Sequence, residues 1–211
     1  MRGRAVGKKE GITEEMMKKL LRICLALICL AGLLAGCGQE ETETEMLSGT
    51  HHVEIELQDY GVVKAELDAD AAPITVTNFI NLANEGFYNG TTFHRIINGF
   101  MMQGGDPTGP GSGGSDTPIK GEFSENGVEN PLKHTRGTLS MARSQNYDSA
   151  SSQFFIVQED SSHLDGEYAA FGTMTEGMEI VDEICETLGN TASGIVDGAD
   201  RPVIKEIRVV D

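Results

Sequence analysis

The chain has 211 residues and a formal net charge of −17, from 33 acidic and 16 basic side chains. That balance excludes a nucleic-acid-binding surface, because a phosphate backbone is gripped by Lys and Arg and repelled by carboxylates. Apolar residues make up 39% of the chain, which is enough for one packed domain.

The N-terminus reads as a targeting segment. Lys18, Lys19 and Arg22 precede an apolar run of 13 residues, 23–35. A membrane-spanning helix needs about 20. Leu34-Ala35-Gly36-Cys37 follows, small residues ending on a cysteine. The pattern looks like a bacterial lipoprotein signal: residues 1–36 would be removed, and Cys37 would carry a diacylglyceryl group as the first mature residue. Residues 1–15 precede Met16 and Met17 and read as a mis-assigned start. Cleavage removes seven basic and three acidic residues and takes the net charge to −21. Such a surface is repelled by anionic headgroups, so attachment would rest on the acyl chains. The expected location is outside the cytoplasm, anchored to a bacterial membrane. Cys24 and Cys29 leave with the signal, so Cys185 is the one further thiol. No intramolecular disulfide is expected, and Cys185 lies in an amphipathic pattern as a small buried residue.

Residues 37–50 are polar, with Glu40, Glu41, Glu43 and Glu45, and read as a flexible acidic tether. Residues 51–211 form the domain. Alternating apolar residues predict strands over 52–57 and 62–67, joined by Gln58-Asp59-Tyr60-Gly61. A helix is predicted from Pro73 to about Gly86, with Val76, Phe79, Ile80 and Ala83 facing inward. Strands follow over 92–97 and 100–103, split by Asn98-Gly99. The glycine-rich stretch 104–115 lacks the Gly-Lys-Ser/Thr ending of a phosphate cradle and reads as a surface loop with positive φ angles. Further strands are predicted over 138–142, 154–158, 169–173 and 203–210, with a helix over about 177–187. His51-His52 is not a metal site, since neighbouring side chains on a strand point apart.

The chemistry concentrates in Phe93-His94-Arg95-Ile96-Ile97-Asn98-Gly99-Phe100-Met101-Met102-Gln103-Gly104-Gly105-Asp106. A guanidinium and a carboxamide stand there among large apolar residues, a combination suited to gripping an amide. No serine, cysteine or carboxylate pair within it offers a nucleophile. Together with Gly137-Thr138-Leu139-Ser140-Met141-Ala142-Arg143, Ser151-Ser152-Gln153-Phe154-Phe155-Ile156-Val157, Leu164-Asp165-Gly166 and Ala170-Phe171-Gly172, it resembles the cyclophilin family of peptidyl-prolyl cis-trans isomerases. The resemblance runs in order from about Val53 to Val210.

That resemblance implies a mainly β fold, a closed eight-stranded antiparallel barrel capped by two helices. It implies that Arg95 is the catalytic arginine, with Gln103 orienting it. Phe100, Met101, Phe155 and Leu164 would wall the proline pocket, while Ala142 and Gln153 would contact the residues before the proline. His94 beside the arginine reads as structural, pointing to the opposite strand face. Three positions depart from the family. His163 replaces a common tryptophan, Tyr168 a pocket histidine, and Arg143 an asparagine. Altered preference at neighbouring substrate positions follows, and cyclosporin binding is placed in doubt. The implied activity is isomerisation of X–Pro bonds in exported polypeptides by a monomer, without cofactor or metal. The competing readings are a non-catalytic proline-peptide-binding or chaperone module of the same fold, and a solute-binding lipoprotein. Arg95 with Gln103 argues for catalysis.

Overall fold

The computed structural model describes residues 45–191 and 193–211. The expected signal segment, Cys37 and most of the expected tether lie outside them. Eight antiparallel strands form one sheet: β1 (Thr50–Leu57), β2 (Gly61–Asp68), β3 (Thr92–Ile97), β4 (Met101–Asp106), β5 (Thr138–Met141), β6 (Phe154–Val157), β7 (Ala170–Glu176) and β8 (Ile204–Val209). Their order across the sheet is β3-β4-β6-β5-β7-β2-β1-β8. Two helices cover it, α1 (Pro73–Asn84) and α2 (Met178–Leu188). Among the described residues no helix is long and apolar enough to cross a membrane.

The local reasons are visible. Asp59 at φ 67° and Gly61 at φ 122° turn β1 into β2. Pro73 opens α1, where its missing N–H costs nothing. Ala72 offers no side-chain cap. The buried carboxylate of Glu122 replaces one, accepting the Ile74 N–H at 3.0 Å, the Thr75 N–H at 2.8 Å and the Thr75 hydroxyl at 2.7 Å. An anion there also meets the positive end of the helix dipole. Residues 45–49, expected as tether, run against the domain: the Leu47 N–H donates to Thr77 Oγ1 at 2.9 Å, and Leu47 packs on the core.

The expected closed barrel is corrected to a curled half-barrel with a seam. Its end strands, β3 and β8, share no ladder. They meet at a single bridge, Thr92 to Val203, with backbone bonds from Phe93 N–H to Pro202 O and from Ile204 N–H to Thr91 O. Pro202 stands where β8 approaches β3 and has no N–H to contribute to a ladder.

Alternation along the strands sends successive side chains to opposite faces. Phe154 and Ile156 of β6 and Met102 of β4 enter the main core, where Phe79, Tyr88, Phe93, Phe154 and Phe171 pack ring against ring at centroid distances of 5.1–5.8 Å. Their neighbours Met101, Phe155 and Val157 face the other way and build a second apolar cluster with Leu164. Cys185 lies fully buried in the main core, and burial pushes its thiol up to about 12.

Candidate active site

The outer cluster floors a cleft of about 250 Å³ lined by Arg95, Phe100, Met101, Gln103, Ala142, Arg143, Phe155, Leu164 and Tyr168. Nine of the eleven side chains expected at the site thus converge on it. Gln153 lines an adjoining groove that shares Gln103, Ala142 and Arg143 with the cleft. His163 does not line either. It stands exposed beside the Phe100 ring at a centroid distance of 5.5 Å.

Strand register explains the convergence. Arg95 pairs with Gln103, Gln103 with Phe155, and Phe155 with Ser140. Directly paired residues share a sheet face. The pairing of β3 with β4 steps over His94, a bulge that gives the strand two buried residues in succession, Phe93 and His94, before Arg95 emerges on the cleft side. His94 points away from the cleft and packs under Gly111, and burial holds its imidazole below the usual range.

Arg95 is held from behind through amides. Its Nη1 contacts Gln103 Oε1 at 3.5 Å, a long contact, and Met101 Sδ at 3.9 Å. Gln103 Nε2 donates to Gln153 Oε1 at 2.9 Å, and Gln153 Nε2 donates to the carbonyls of Gly111 at 3.0 Å and Gly113 at 2.7 Å. The glycine loop is fixed by Asp106. Its carboxylate accepts the Thr108 N–H and hydroxyl at 2.7 and 2.8 Å and the N–H groups of Gly111 and Gly113 at 2.6 and 3.0 Å. Burial works against ionisation there, but those donors hold the carboxyl down to about 2. Gly105, Gly109 and Gly111 carry the expected positive φ angles.

Arg143 is occupied by its own chain. Its guanidinium lies over Tyr168 at 4.5 Å, Tyr147 at 4.8 Å and Phe123 at 5.2 Å, while Nε and Nη1 donate to the carbonyls of Glu167 and Ser144. It offers the cleft the flank of a stacked plane, with two of its five N–H donors already taken.

One group behind the pocket was not anticipated. His134 is buried and its ring lies nearly parallel to Phe155, centroids 6.1 Å apart. Asp165 Oδ1 lies 3.1 Å from His134 Nδ1, and Ser140 Oγ lies 2.9 Å from Nε2. With a carboxylate accepting at Nδ1, the neutral ring accepts the Ser140 hydroxyl at Nε2. Burial lowers the His134 pKa, and the Asp165 charge only partly offsets it. This resembles a nucleophilic triad in composition. Ser140 is wholly buried, so the group supports the pocket wall and cannot attack a substrate. His51 and His52 both contact Asp211 at the domain's edge.

Residues 52–211 match the family described as cyclophilin type peptidyl-prolyl cis-trans isomerase. The chain is 44% identical over 153 residues to peptidyl-prolyl cis-trans isomerase B of Bacillus subtilis, covering 72% of this chain and 94% of that one. It is 44% identical over 146 residues to a peptidyl-prolyl cis-trans isomerase of Helicobacter pylori, covering 68% of this chain and 86% of the relative. A crystal structure of a cyclophilin type isomerase from Cryptosporidium parvum superposes with a TM-score of 0.68 at 34% identity, over 77% of this chain and 99% of that chain. A second structure of that protein was determined in the presence of the dipeptide Ala-Pro. The chain belongs to the cyclophilin family and is a peptidyl-prolyl cis-trans isomerase.

Proposed function

We propose that this isomerase acts on X–Pro bonds of exported proteins and lowers the barrier by electrostatics alone, with no proton transfer and no covalent intermediate. Rotation about an X–Pro bond is opposed by ~18–20 kcal/mol because amide resonance must be broken. The observation that carries the proposal is the Arg95 guanidinium at the rim of a pocket walled by Phe100, Met101, Phe155 and Leu164, where the other arginine, Arg143, is stacked on the rings of Phe123, Tyr147 and Tyr168. An apolar pocket of that kind suits a prolyl ring. A donor held beside it suits the pyramidal nitrogen or the prolyl carbonyl of the twisted amide. Gln103 orients the guanidinium and is itself steadied by Gln153. None of the residues lining the cleft is a serine, cysteine, histidine or carboxylate. The Cryptosporidium parvum structure with Ala-Pro supports a prolyl peptide as the occupant.

Arg95→Ala tests this directly. Its kcat/KM should fall at least tenfold in a folded protein, since removing one preorganised donor costs ~2.7–4 kcal/mol in other enzymes. Near wild-type turnover would sink the electrostatic role of Arg95.

The likeness of Leu34-Ala35-Gly36-Cys37 and the apolar run before it to a lipoprotein signal supports attachment through Cys37, with the acidic residues after it as a spacer. Mass spectrometry of the native protein should find an acylated cysteine at residue 37 as the N-terminus, and Cys37→Ser should release the protein from membranes. A mature N-terminus elsewhere would overturn that part.

A further inference from the structure

The lateral row of paired side chains does not end at Arg95. Residues 194–196 add a short strand to the outer edge of β3. The Ile96 N–H donates to Gly194 O at 2.7 Å and the Val196 N–H to His94 O at 3.0 Å. Those two bonds flank a bridge between Arg95 and Ile195. The pair they enclose is of the non-hydrogen-bonded kind, in which side chains on the shared face stand closest. The row therefore runs Ile195, Arg95, Gln103, Phe155.

Its outermost member is unusual. Ile195 is 49% exposed, one of three large apolar residues so exposed among the described residues. The strand itself is not loose. Val196 is 5% exposed and belongs to the core. Gly194 at φ 72° lies so close to β3 that a Cβ would stand 2.4 Å from Ile97 Cγ1. Buried anchors on both sides thus present Ile195 outward, next to the guanidinium.

We propose that Ile195 is a specificity-determining contact for the known reaction, receiving an apolar side chain of the substrate on the Arg95 side of the cleft. This rests on the reading of Arg95 and the cleft as the prolyl site. Neighbouring strands lie ~4.8 Å apart, so Ile195 stands two to three strand spacings from the cleft between Gln103 and Phe155, roughly 10–14 Å. An extended chain advances ~3.3–3.6 Å per residue, which places the contact about three or four residues from the proline.

The test uses the described domain's own activity. kcat/KM is measured for X–Pro peptides carrying Leu or Ser at each of four positions on either side of the proline, with wild type, Ile195→Thr and Ile195→Phe. Both substitutions keep a strand-forming residue at an exposed site, so folding is preserved. The wild type should favour Leu over Ser at one or two positions on one flank. Ile195→Thr should lower that ratio by about threefold or more, and Ile195→Phe should keep or raise it. A wild-type preference for Leu that Ile195→Thr leaves unchanged overturns the subsite, as does the absence of any preference. Loss of activity on every peptide in Arg95→Lys as well as Arg95→Ala, with the Leu/Ser binding ratio at Ile195 intact by calorimetry, would leave the subsite standing. Full activity in both arginine variants would instead contradict the reading beneath it.

Discussion

Strand β6 can be compared with itself, one face against the other. Phe154 and Ile156 enter a core in which every side is covered by packed rings and strands. Phe155 and Val157, from the same four residues, join a smaller cluster that is left open to form the cleft. Burial is nearly equal, since Phe154 is 0% and Phe155 5% exposed. What differs is what lies beyond. The inner ring is fixed by other rings, whereas the outer one is backed by His134, Ser140 and Asp165. The same amount of buried carbon therefore closes a core on one face and floors a cleft on the other.

The most severe way to break the comparison is to truncate both rings. Phe154→Ala should cost about 3–5 kcal/mol and lower the unfolding midpoint sharply, as a large cavity in a closed core does. Phe155→Ala should cost less, about 1.5–3 kcal/mol, because its site is already open to solvent on one side. It should also lose at least tenfold in kcat/KM, mainly through KM. Denaturant unfolding and peptide kinetics on both variants check this. Equal stability loss would show that the two faces are one core.

Asp106→Asn should have a smaller effect that couples the faces. A carboxamide cannot accept all four donors that the carboxylate now holds. Leaving buried N–H groups unpaired costs about 1–3 kcal/mol. Because Gly111 and Gly113 anchor Gln153, and Gln153 anchors Gln103, Arg95 should be less firmly held and kcat/KM should fall several-fold. Stability loss with unchanged kinetics would show that the amide chain does not steady the arginine.

Acid should act on both faces at once, and more gently. His94 and His134 have pKa values lowered by burial. The unfolded chain therefore binds more protons than the folded one just below the ordinary histidine value of ~6.5, and stability falls as pH falls through that window. The stabilisation is fully present above ~6.5 and is lost as pH approaches the lower folded values. Asp106, held down to about 2, contributes stability that is present above ~3.9 and lost as pH falls through its folded value. Unfolding midpoints at pH 7.5, 6 and 5 should decline in that order. His134→Gln should flatten part of the first step. An unchanged slope would mean that the imidazole is not held neutral.

Much of this was legible in the sequence, for identifiable reasons. All eight strands were located, β1 and β2 through an alternation that matches their one packed face, and Pro73 marked the start of α1. Closure was not legible. Eight strands can curl with or without a ladder between the ends, and only Pro202 at the β3–β8 approach hints at a seam. The residues lining the cleft were found because they sit in contiguous motifs. His134 was missed because it lies in an irregular stretch with no periodicity, and its partners Ser140 and Asp165 are distant in sequence. Ile195 was missed because it lies between the predicted second helix and the predicted last strand, where no element was expected. The bulge at His94 that re-aims Arg95 has no marker residue at all.

The central claim is that Arg95 acts as a fixed charge and that no group exchanges a proton during isomerisation. Arginine keeps its proton in proteins at neutral and mildly alkaline pH, and no carboxylate or imidazole lines the cleft. The direct test is kcat/KM for one short X–Pro peptide from pH 6.5 to 9, with the uncatalysed rate subtracted at each point. The account predicts a flat profile. A bell-shaped profile, with a loss on each side set by an acid and a base, would contradict it.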